Sequence, residues 1–532
     1  MRSTVWIVIT ACHRADPGPQ LVSTPEPLIH PAPTPRAEQP TVELLTGEPT
    51  LRPPDDPAVH LVRILRAQTS TPTILSVEID DGIRAHRVDF PERTTDHEVP
   101  LLHLAANTHH DVRVTVTDAL GRAESTELQL TLPPLAVALP EIQLLERIEG
   151  ALEPGITLAA VRTPEGTAFT LVGLDDLARP IWAFEAPGEL WDVELHPDGT
   201  LMTILDNQMA KLSALGGLAV VAEAKVHHDV EWLADDTYLA LVKQNRRVAG
   251  YPTDPDDLTV RETVTIRDDA VVLYASDGTP LQSWSTASLL DPTRIGLQSL
   301  DQHADGTYDW GHANAVLDSP GDNSIVVSMR HQDCVFKFDR DTLQLKWILG
   351  NHDGWPPRLR PYLLQPVGPL SWPFRQHAPM PSGPGRWLLF DNGNAPRGTP
   401  YSDEADPLGR VSRVVEYAID EDAMTIRQTL EVVGDGQGDR LYSNALGDAD
   451  LMPITGNVLA NFAYLKTEQG IDNVDRGWGL NSVRLIEITR SGQIVWDLSL
   501  HGALEDTPEG WLLDRVERVP SLYADTAVFT EL

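Results

Sequence analysis

The chain has 532 residues, of which 41% are hydrophobic and 22% charged, a length and composition typical of a globular protein with more than one folded unit. Its formal net charge of −37 at pH 7 excludes nucleic acid as a partner, because binding to phosphates requires many Lys and Arg side chains. The same charge repels anionic ligands in general, so an anion site in this chain has to be a local positive pocket.

The first 40 residues predict a leader followed by a linker. The opening MRSTVWIVITAC has one arginine, a short apolar run and a cysteine after a small residue, which is similar to a bacterial lipobox. We predict that Cys12 is lipidated and that the protein lies in the periplasm or at the cell surface, anchored to the outer membrane. The alternative is a short signal peptide with a chance cysteine. Residues 13–40 are rich in proline and predict an extended tether.

Residues 41–138 predict a small domain of short strands. The runs HLVRIL, TILSVEID, AHRVDF and DVRVTVTDA alternate apolar and polar residues between turn residues, which indicates an antiparallel β-sandwich of immunoglobulin or fibronectin type. The triplet His109-His110-Asp111 lies here. We interpret it as structural, because nothing else in the small domain offers a cationic partner.

Residues 139–532 carry a loose repeat of two units. The first unit is a strand, a turn and a second strand, and it begins at residues 191, 228, 312, 377 and 447. The second is a hairpin that begins at residues 272, 336, 415 and 484 and often ends on tryptophan. Two hairpins make a four-stranded sheet, and sheets repeated around an axis make a β-propeller. We predict an all-β chain with a six-bladed propeller in which one blade is closed from both ends; a two-sheet sandwich is the alternative.

Three of the five first units begin with histidine, namely His228, His312 and His377. Equivalent positions of successive blades surround the propeller axis, so these imidazoles are expected to face one another. Arg330 ends a strand eighteen residues after His312 and can return to the same place. Asn314 follows His312 by two residues, which on a strand places both side chains on one face.

A metal site is the alternative reading of three histidines, since zinc accepts three protein ligands and a water. The chain has no HExxH motif, and the adjacent His227 and His228 point to opposite faces of a strand. An arginine beside the site also disfavours a cation. We therefore predict no metal and no cofactor.

The motifs of residues 141–532 resemble those of the bacterial arylsulfate sulfotransferases. The matching runs are HHDVEWL, DWGHANAV, SIVVSMRHQDCVFKFDRDTLQLKWILG, FRQHAPM, LLFDNGN, SRVVEYAID and GDADLMPITGNVLA. The resemblance implies a six-bladed propeller with a central site and a similar small N-terminal domain. It implies a reaction that moves a sulfuryl group from a phenolic sulfate ester to another phenol, without a nucleotide sulfate donor.

The resemblance also implies roles for individual residues. His377 matches the nucleophilic histidine that becomes transiently sulfated, and His312, Asn314 and Arg330 match residues that hold the sulfuryl oxygens and assist proton transfer. One histidine of the pair at 227 and 228 matches a further site residue; we favour His228, and His227 stays open. The chain departs from relatives that carry a disulfide near the site, because Cys12 and Cys334 are its only cysteines.

A non-catalytic propeller that binds ligands or partners at the cell surface is the competing hypothesis, because the fold alone does not determine function. The full set of site residues favours the enzyme hypothesis, since a non-catalytic scaffold does not need this combination of histidines, asparagine and arginine. A sulfatase, with water as the acceptor, would also release phenol. The sequence leaves the natural donor and acceptor open, and also the oligomeric state, where a homodimer is one option.

Overall fold

The computed structural model describes residues 43–296, 298–394, 411–433, 441–468, 471–472, 480–502 and 509–532. The predicted leader, the lipidation of Cys12 and the proline-rich linker lie outside these residues. Helical structure in the described part is short: the helix Thr286–Leu289 and the 3₁₀ turns Pro320–Asp322, Arg330–Gln332 and Arg360–Tyr362. The prediction of an all-β protein is confirmed. No helix within the described ranges is long and apolar enough to cross a membrane.

The N-terminal strands form one sheet that also takes in a strand from the end of the chain. Its strands are Thr50–Arg52, Arg63–Asp80, Ala85–Leu101, His109–Asp118, Ala123–Thr131 and Val528–Glu531. The sequence predicted a sandwich of two sheets here. The end of the run HLVRIL and the whole run TILSVEID lie in one 18-residue strand, Arg63–Asp80. Its pairing with Ala85–Leu101 is irregular between Gln68 and Thr73, and the sandwich stays a prediction.

Six further sheets contain the rest of the strands, and each has at least four. Sheet 1 contains Leu512–Val519, Ile156–Arg162, Phe169–Leu174, Pro180–Glu185 and Val59–His60. Sheet 2 contains Leu190–Leu195, Thr200–Leu205, Gln208–Ser213 and Gly216–Ala222. Sheet 3 contains Val226–Trp232, Tyr238–Pro252, Arg261–Tyr274 and Pro280–Ser285.

The remaining three sheets follow in chain order. Sheet 4 contains Ala313–Ser319, Ser324–Met329, Cys334–Asp339 and Leu345–Gly350. Sheet 5 contains His377–Gly383, Arg386–Asp391, Arg413–Asp420, Thr425–Val433 and Gln365–Pro366. Sheet 6 contains Asp448–Leu451, Val458–Glu468, Leu480–Ile488, Ile494–His501 and Glu141–Arg147, with Ile471–Asp472 paired to Val458–Glu468.

The first strand of each sheet, here called its inner strand, contacts the inner strands of the sheets before and after it. The order of contacts runs from sheet 1 through sheet 6 and returns to sheet 1. Sheet 1 is completed by Leu512–Val519 from the C-terminal part of the chain, which pairs with Ile156–Arg162. The six inner strands therefore surround a common space, to which each sheet presents the beginning of its first strand.

Tryptophans on the fourth strands explain the repeat seen in the sequence. The indole N–H of Trp182, Trp284, Trp347 and Trp496 donates a hydrogen bond of 2.9 Å to the turn between the third and fourth strands of the next sheet. All four side chains are buried, and apolar clusters fill the space between neighbouring sheets. In these four sheets the tryptophan thus fixes the sheet to its successor by packing and by one directional bond.

Acidic side chains join the inner strands to one another. Asp192 accepts the backbone N–H of Val230 at 3.0 Å, and Asp229 accepts that of Val316 at 2.6 Å. Glu194 accepts that of Trp232 in the same way. An edge strand leaves backbone donors unpaired, and buried donors need a partner. These carboxylates supply it from the preceding sheet.

Candidate functional site

A β-bulge at the start of the inner strands turns side chains toward the common space. The register shifts near the start of the inner strands of sheets 2 to 5. Asp192, His228, His312 and Ala378 have positive φ angles of 27°, 61°, 51° and 46° at these points. Such a conformation is strained for residues other than glycine, and bulges of this kind re-aim side chains beside functional sites.

His377 is buried at the start of the inner strand of sheet 5, and its tautomer is fixed. Its Nδ1 lies 2.6 Å from Asn392 Oδ1. The Asn392 amide nitrogen donates to the carbonyls of Ser443 and Leu446 at 2.9 and 2.8 Å, so its oxygen must face the imidazole. His377 Nδ1 therefore carries the proton, and Nε2 keeps its lone pair.

His377 is also held in the neutral form. Burial lowers its pKa well below the ordinary value, and the positive charge of Arg330 lowers it further, whereas the bond to Asn392 acts in the opposite direction. A neutral imidazole with a free Nε2 is a nucleophile at neutral pH.

His312 makes a charge-assisted pair with Asp309. His312 Nδ1 lies 2.7 Å from Asp309 Oδ2. Burial acts to raise the pKa of Asp309, but the charge of His312 and its hydrogen bond outweigh burial and hold that pKa well below the usual range. The carboxylate is therefore ionised, orients the ring through Nδ1 and stabilises its protonated form. His312 is left with Nε2 for proton transfer.

Arg330 lies in the 3₁₀ turn between two strands of sheet 4 and is buried. Its Nη1 donates to Gln298 Oε1 at 2.9 Å and to His331 Nε2 at 3.0 Å, and its Nη2 donates to the Asn444 carbonyl at 3.2 Å. Its Nε, which is also buried, has no hydrogen-bond partner among the described residues. Burial and the charge of Arg375 lower the pKa of Arg330 to about 9, so the guanidinium stays charged at neutral pH.

The structure distinguishes His228 from His227. The His228 ring lies 5.0 Å from the His312 ring and 5.4 Å from the Trp191 ring, between centroids. His227 Nε2 lies 3.2 Å from Asp269 Oδ1, and the two Nδ1 atoms of the pair are 2.8 Å apart. His228 therefore faces His312, and His227 contacts His228 on one side and Asp269 on the other. Burial and the neighbouring charge of His312 lower the pKa of His228 well below the ordinary value.

Asn314 is buried, and its side chain does not share a face with His312 in the way a regular strand predicts. The bulge between Ala313 and Ala315 interrupts the alternation. The Asn314 amide donates to the Gln376 carbonyl at 2.7 Å, immediately before His377. Its Oδ1 has no partner within the part of the chain that the structure describes. Asn314 thus fixes the backbone that carries His377.

Four residues of the site were not predicted: Asp309, His331, Asn392 and Arg515. Asp309 and Asn392 stand within motifs that the sequence already singled out, DWGHANAV and LLFDNGN, and a search for hydrogen-bond partners of the histidines would have raised them. His331 stacks on His312 with centroids 4.5 Å apart. Arg515 had no local signal, because its strand belongs to the sheet that the C-terminal part of the chain completes.

Arg515 closes the space beneath the histidines. Its guanidinium donates to Asp229 Oδ1 at 2.9 Å, to Asp192 Oδ1 at 3.2 Å and to the Asn314 carbonyl at 2.9 Å. These bonds join four inner strands at the level immediately below His228.

Beyond Arg515 lies a cavity of about 270 Å³ whose lining includes Glu194, Glu231, Asp450 and Glu517, here called the acidic channel. Burial raises the pKa of Glu194 to about 7 and those of Glu231 and Glu517 to about 8. The histidine site and the acidic channel thus occupy two ends of the same inner strands, with Arg515 between them.

A metal ion has one geometrically possible position in the described residues. Asp309, His312 and His331 offer ligand atoms within 4.8 Å of one another. Three of their four ring nitrogens are already committed: both Nδ1 atoms contact Asp309, and His331 Nε2 accepts from Arg330. A cation at this point would face the Arg330 guanidinium, which agrees better with an anion site than with a metal centre.

Comparison with known proteins identifies the family of this chain. The family model described as arylsulfotransferase (ASST) matches residues 180–511. Arylsulfate sulfotransferase AssT of Escherichia coli is 35% identical over 151 residues, which cover 25% of this chain and 24% of that protein. The AssT of Lelliottia amnigena is 27% identical over 310 residues, which cover 48% of this chain and 49% of that protein. The alignments thus span between about a quarter and about half of the length of these relatives.

Solved structures are less similar. An ACO/RPE65 chimera matches with a TM-score of 0.30 and 8% identity, covering 70% of this chain and 96% of that one. Hydrazine synthase of Kuenenia stuttgartiensis matches with a TM-score of 0.28 and 11% identity, covering 57% and 64%. These values are too low to bear on the fold. The family model, in contrast, matches more than half of the chain and includes the residues of the histidine site up to Asn392, and the chain therefore belongs to the arylsulfotransferase family.

Proposed function

We propose that this chain is an arylsulfate sulfotransferase that transfers a sulfuryl group between phenols through a covalent intermediate on His377. The observation that carries the proposal is the His377–Asn392 pair, which fixes the tautomer and leaves a neutral Nε2 beside Arg330. Family membership supports the choice of substrate class. The AssT relatives carry this activity in their names, and the step from them to this chain is part of the proposal.

In the first half-reaction, the lone pair of His377 Nε2 forms a bond to the sulfur of the donor ester. The bond between sulfur and the aryl oxygen breaks, and its electron pair leaves on the phenolate. Protonated His312 gives this phenolate a proton, and ionised Asp309 stabilises the protonated ring until then. A phenolate leaves more readily than an alkoxide, which accounts for an aryl preference.

In the second half-reaction, neutral His312 removes the proton of an acceptor phenol. The phenol oxygen forms the new bond to sulfur, the bond between sulfur and Nε2 breaks, and His377 is restored. Splitting one transfer into two steps predicts ping-pong kinetics. No cofactor or nucleotide sulfate enters this scheme.

Arg330 and its neighbours stabilise the charge that develops on the sulfuryl oxygens. Sulfuryl transfer resembles phosphoryl transfer, in which positioning and stabilisation of equatorial oxygens supply most of the catalysis. The Nε of Arg330, which has no hydrogen-bond partner among the described residues, is a donor suited to these oxygens. The neutral His228 ring lies beside His312 and offers an acceptor. Asn314 and His227 position the residues beside them.

The proposal extends to the architecture and location of the protein. We infer that the six sheets are the blades of a six-bladed β-propeller formed by residues 139–532, and that residues 41–138 form a separate small domain. The closed order of inner-strand contacts and the repeated tryptophan bonds support this arrangement.

We also propose that the protein is exported to the periplasm or cell surface and carries a lipid on Cys12. Labelling of cells with a fatty acid tests this proposal, and Cys12→Ser should abolish the label.

The decisive experiment measures the mass of the intact protein after brief exposure to 4-nitrophenyl sulfate without acceptor. We expect one added SO₃ together with one equivalent of nitrophenolate, loss of the SO₃ on addition of phenol, and continued nitrophenolate release only with phenol. His377→Ala should show none of these, and His501→Ala, a change on the outer part of sheet 6, should behave as wild type. Transfer at a near-normal rate in His377→Ala would rule out the covalent role. Nitrophenolate release over many turnovers without phenol would identify a sulfatase.

A further inference from the structure

A second cavity lies far in the sequence from the histidine site, between the N-terminal sheet and the ends of sheets 1 and 6. Its volume is about 340 Å³. An engineered cavity of about 150 Å³ already binds benzene, so this one is large enough for a small organic molecule. Its apolar walls include Ile79, Ile156, Ile181 and Phe529.

His86 lines this cavity with a buried ring nitrogen. Only 8% of the residue is exposed, and its Nε2 has no partner among the described residues. The backbone of Leu102 acts to raise the pKa of His86, and we infer that Nδ1 donates to its carbonyl and that Nε2 keeps the lone pair. Burial lowers the pKa of His86 to about 4, so the ring is neutral at pH 7. A buried acceptor without a hydrogen-bond partner lowers the free energy of unfolding, and a ligand that donates a hydrogen bond to it restores this loss.

The charges around the cavity favour a cation. Three arginines and six acidic residues line it. The arginines are already paired: Arg84 and Arg147 bond Asp176 at 2.6 and 2.7 Å, and Arg179 bonds both Asp81 and Asp175. The lining therefore has more carboxylates than arginines, and the negative charge that remains disfavours the binding of an anion.

We propose that this cavity binds a small organic ammonium compound, whose N–H donates to His86 Nε2 and whose apolar body packs against the isoleucines and Phe529. The site takes a ligand of opposite charge to the sulfate esters proposed for the histidine site. The cavity is lined by the N-terminal sheet, which includes the C-terminal strand Val528–Glu531, and by sheet 1. A bound ligand would therefore contact both the N-terminal sheet and sheet 1. The proposal does not depend on the function of the histidine site.

Three probes with one benzyl or phenyl body and different head groups test the proposal by calorimetric titration of the whole chain at pH 7. Benzylamine should bind, benzyl alcohol should bind more weakly, and benzoate should not bind. Equal binding of all three, or preference for benzoate, would overturn the assignment of charge and donor. Absence of heat with all three up to millimolar concentration would overturn the site itself.

Two variants locate the binding. His86→Phe keeps the size of the ring and removes the acceptor, so the Kd for benzylamine should rise by about tenfold or more. His109→Phe, which changes an exposed ring two strands away in the same sheet, is the matched control and should leave the Kd unchanged. If His86→Phe does not fold, Ile181→Phe narrows the cavity without touching the acceptor and should also weaken binding. An unchanged Kd in the folded variant places the ligand elsewhere.

Discussion

The tripeptide His-His-Asp occurs twice in this chain, and the two copies do different things. In the N-terminal sheet, His109 and Asp111 expose 52% and 64% of their side chains, and only His110 is buried, with Nε2 accepting the backbone N–H of Ala105 at 3.1 Å. In the inner strand of sheet 3, all three side chains turn to protein groups: His227 to Asp269, His228 to His312 and Asp229 to Arg515.

The backbone produces this difference. Residues 109–111 lie in a strand with regular pairing, so side chains alternate between the two faces. At His228 the φ angle is 61° and the register shifts between Val226 and Val230, so consecutive residues all find buried partners. Three identical residues thus become a strand surface in one place and part of the candidate functional site in the other. The bulge, and the neighbours to which it points the side chains, make the distinction.

The largest expected effect separates the second histidines of the two triplets. His228→Gln should reduce sulfuryl transfer by about 10²- to 10⁴-fold, because it removes a neutral imidazole from the site. His110→Gln should lower the melting temperature without changing kcat. The measurement is nitrophenolate release with phenol as acceptor, alongside a thermal melt. Equal losses of activity in both variants would mean that His228 acts only through stability.

Removing the arginine that binds Asp229 should have the next largest effect. Arg515→Gln breaks a buried ion pair and leaves Asp229 and Asp192 without their cation, which should cost about 3–5 kcal/mol of unfolding free energy. The charge of Arg515 also helps to lower the pKa of His377. Its loss should raise that pKa and move the acidic limb of the kcat/KM profile to higher pH.

Arg518 provides the matched control for Arg515. It lies in the same strand, is buried, and bonds the Glu153 carbonyl rather than any residue of the histidine site. Arg518→Gln should lower stability and leave the pH profile unchanged. A shifted profile in Arg518→Gln would show that any weakening of sheet 1 disturbs the site, and Arg515→Lys is the fallback if Arg515→Gln does not fold.

Substitutions at the third residues of the two triplets should differ only in their effect on the stability of the protein. Asp229 accepts from Arg515 and from the Val316 N–H, and Asp229→Asn should lower the unfolding free energy by about 1.5–3 kcal/mol, because charge-assisted bonds are lost in a buried place. Asp111→Asn, on an exposed side chain, should stay within about 0.5 kcal/mol of wild type. Denaturant titration measures both. Two equal values would contradict the contrast between the triplets.

The smallest effect concerns Glu231, two residues beyond Asp229 in the acidic channel. Its pKa in the folded state is about 8, raised by burial from an ordinary value near 4.5. The folded state therefore binds more protons than the unfolded state between these values, and wild-type stability falls as pH rises through this window. Glu231→Gln should be more stable than wild type at pH 8.5, by on the order of 1 kcal/mol, and the gain should shrink toward pH 5. A gain that does not depend on pH would exclude the titration of Glu231 as its cause.

The sequence predicted the outline of the site because its residues recur at fixed places in a repeat. His228, His312 and His377 begin equivalent units, and the structure gathers them with Arg330 and Asn314 around one space. The motifs of the sequence contain Asp309 and Asn392 but do not say which histidine each of them binds, because a hydrogen bond to an imidazole depends on which loop passes beside the ring. The sequence did not predict that Arg63–Asp80 is one strand, since a polar stretch such as AQTSTP can lie inside a long strand where the register with its neighbour is irregular.

By itself the sequence determined the all-β character, the repeating hairpins with their tryptophans, and the histidines at equivalent positions, since these follow from local alternation and from periodicity along the chain. The tertiary structure alone decided which of His227 and His228 faces the site, which nitrogen of His377 is free, and that Arg515 from the end of the chain lies beneath residues nearly 300 positions earlier. The physical reason is that these properties depend on bulges, burial and ion pairs between separate sheets, and none of these is encoded within a single stretch of sequence.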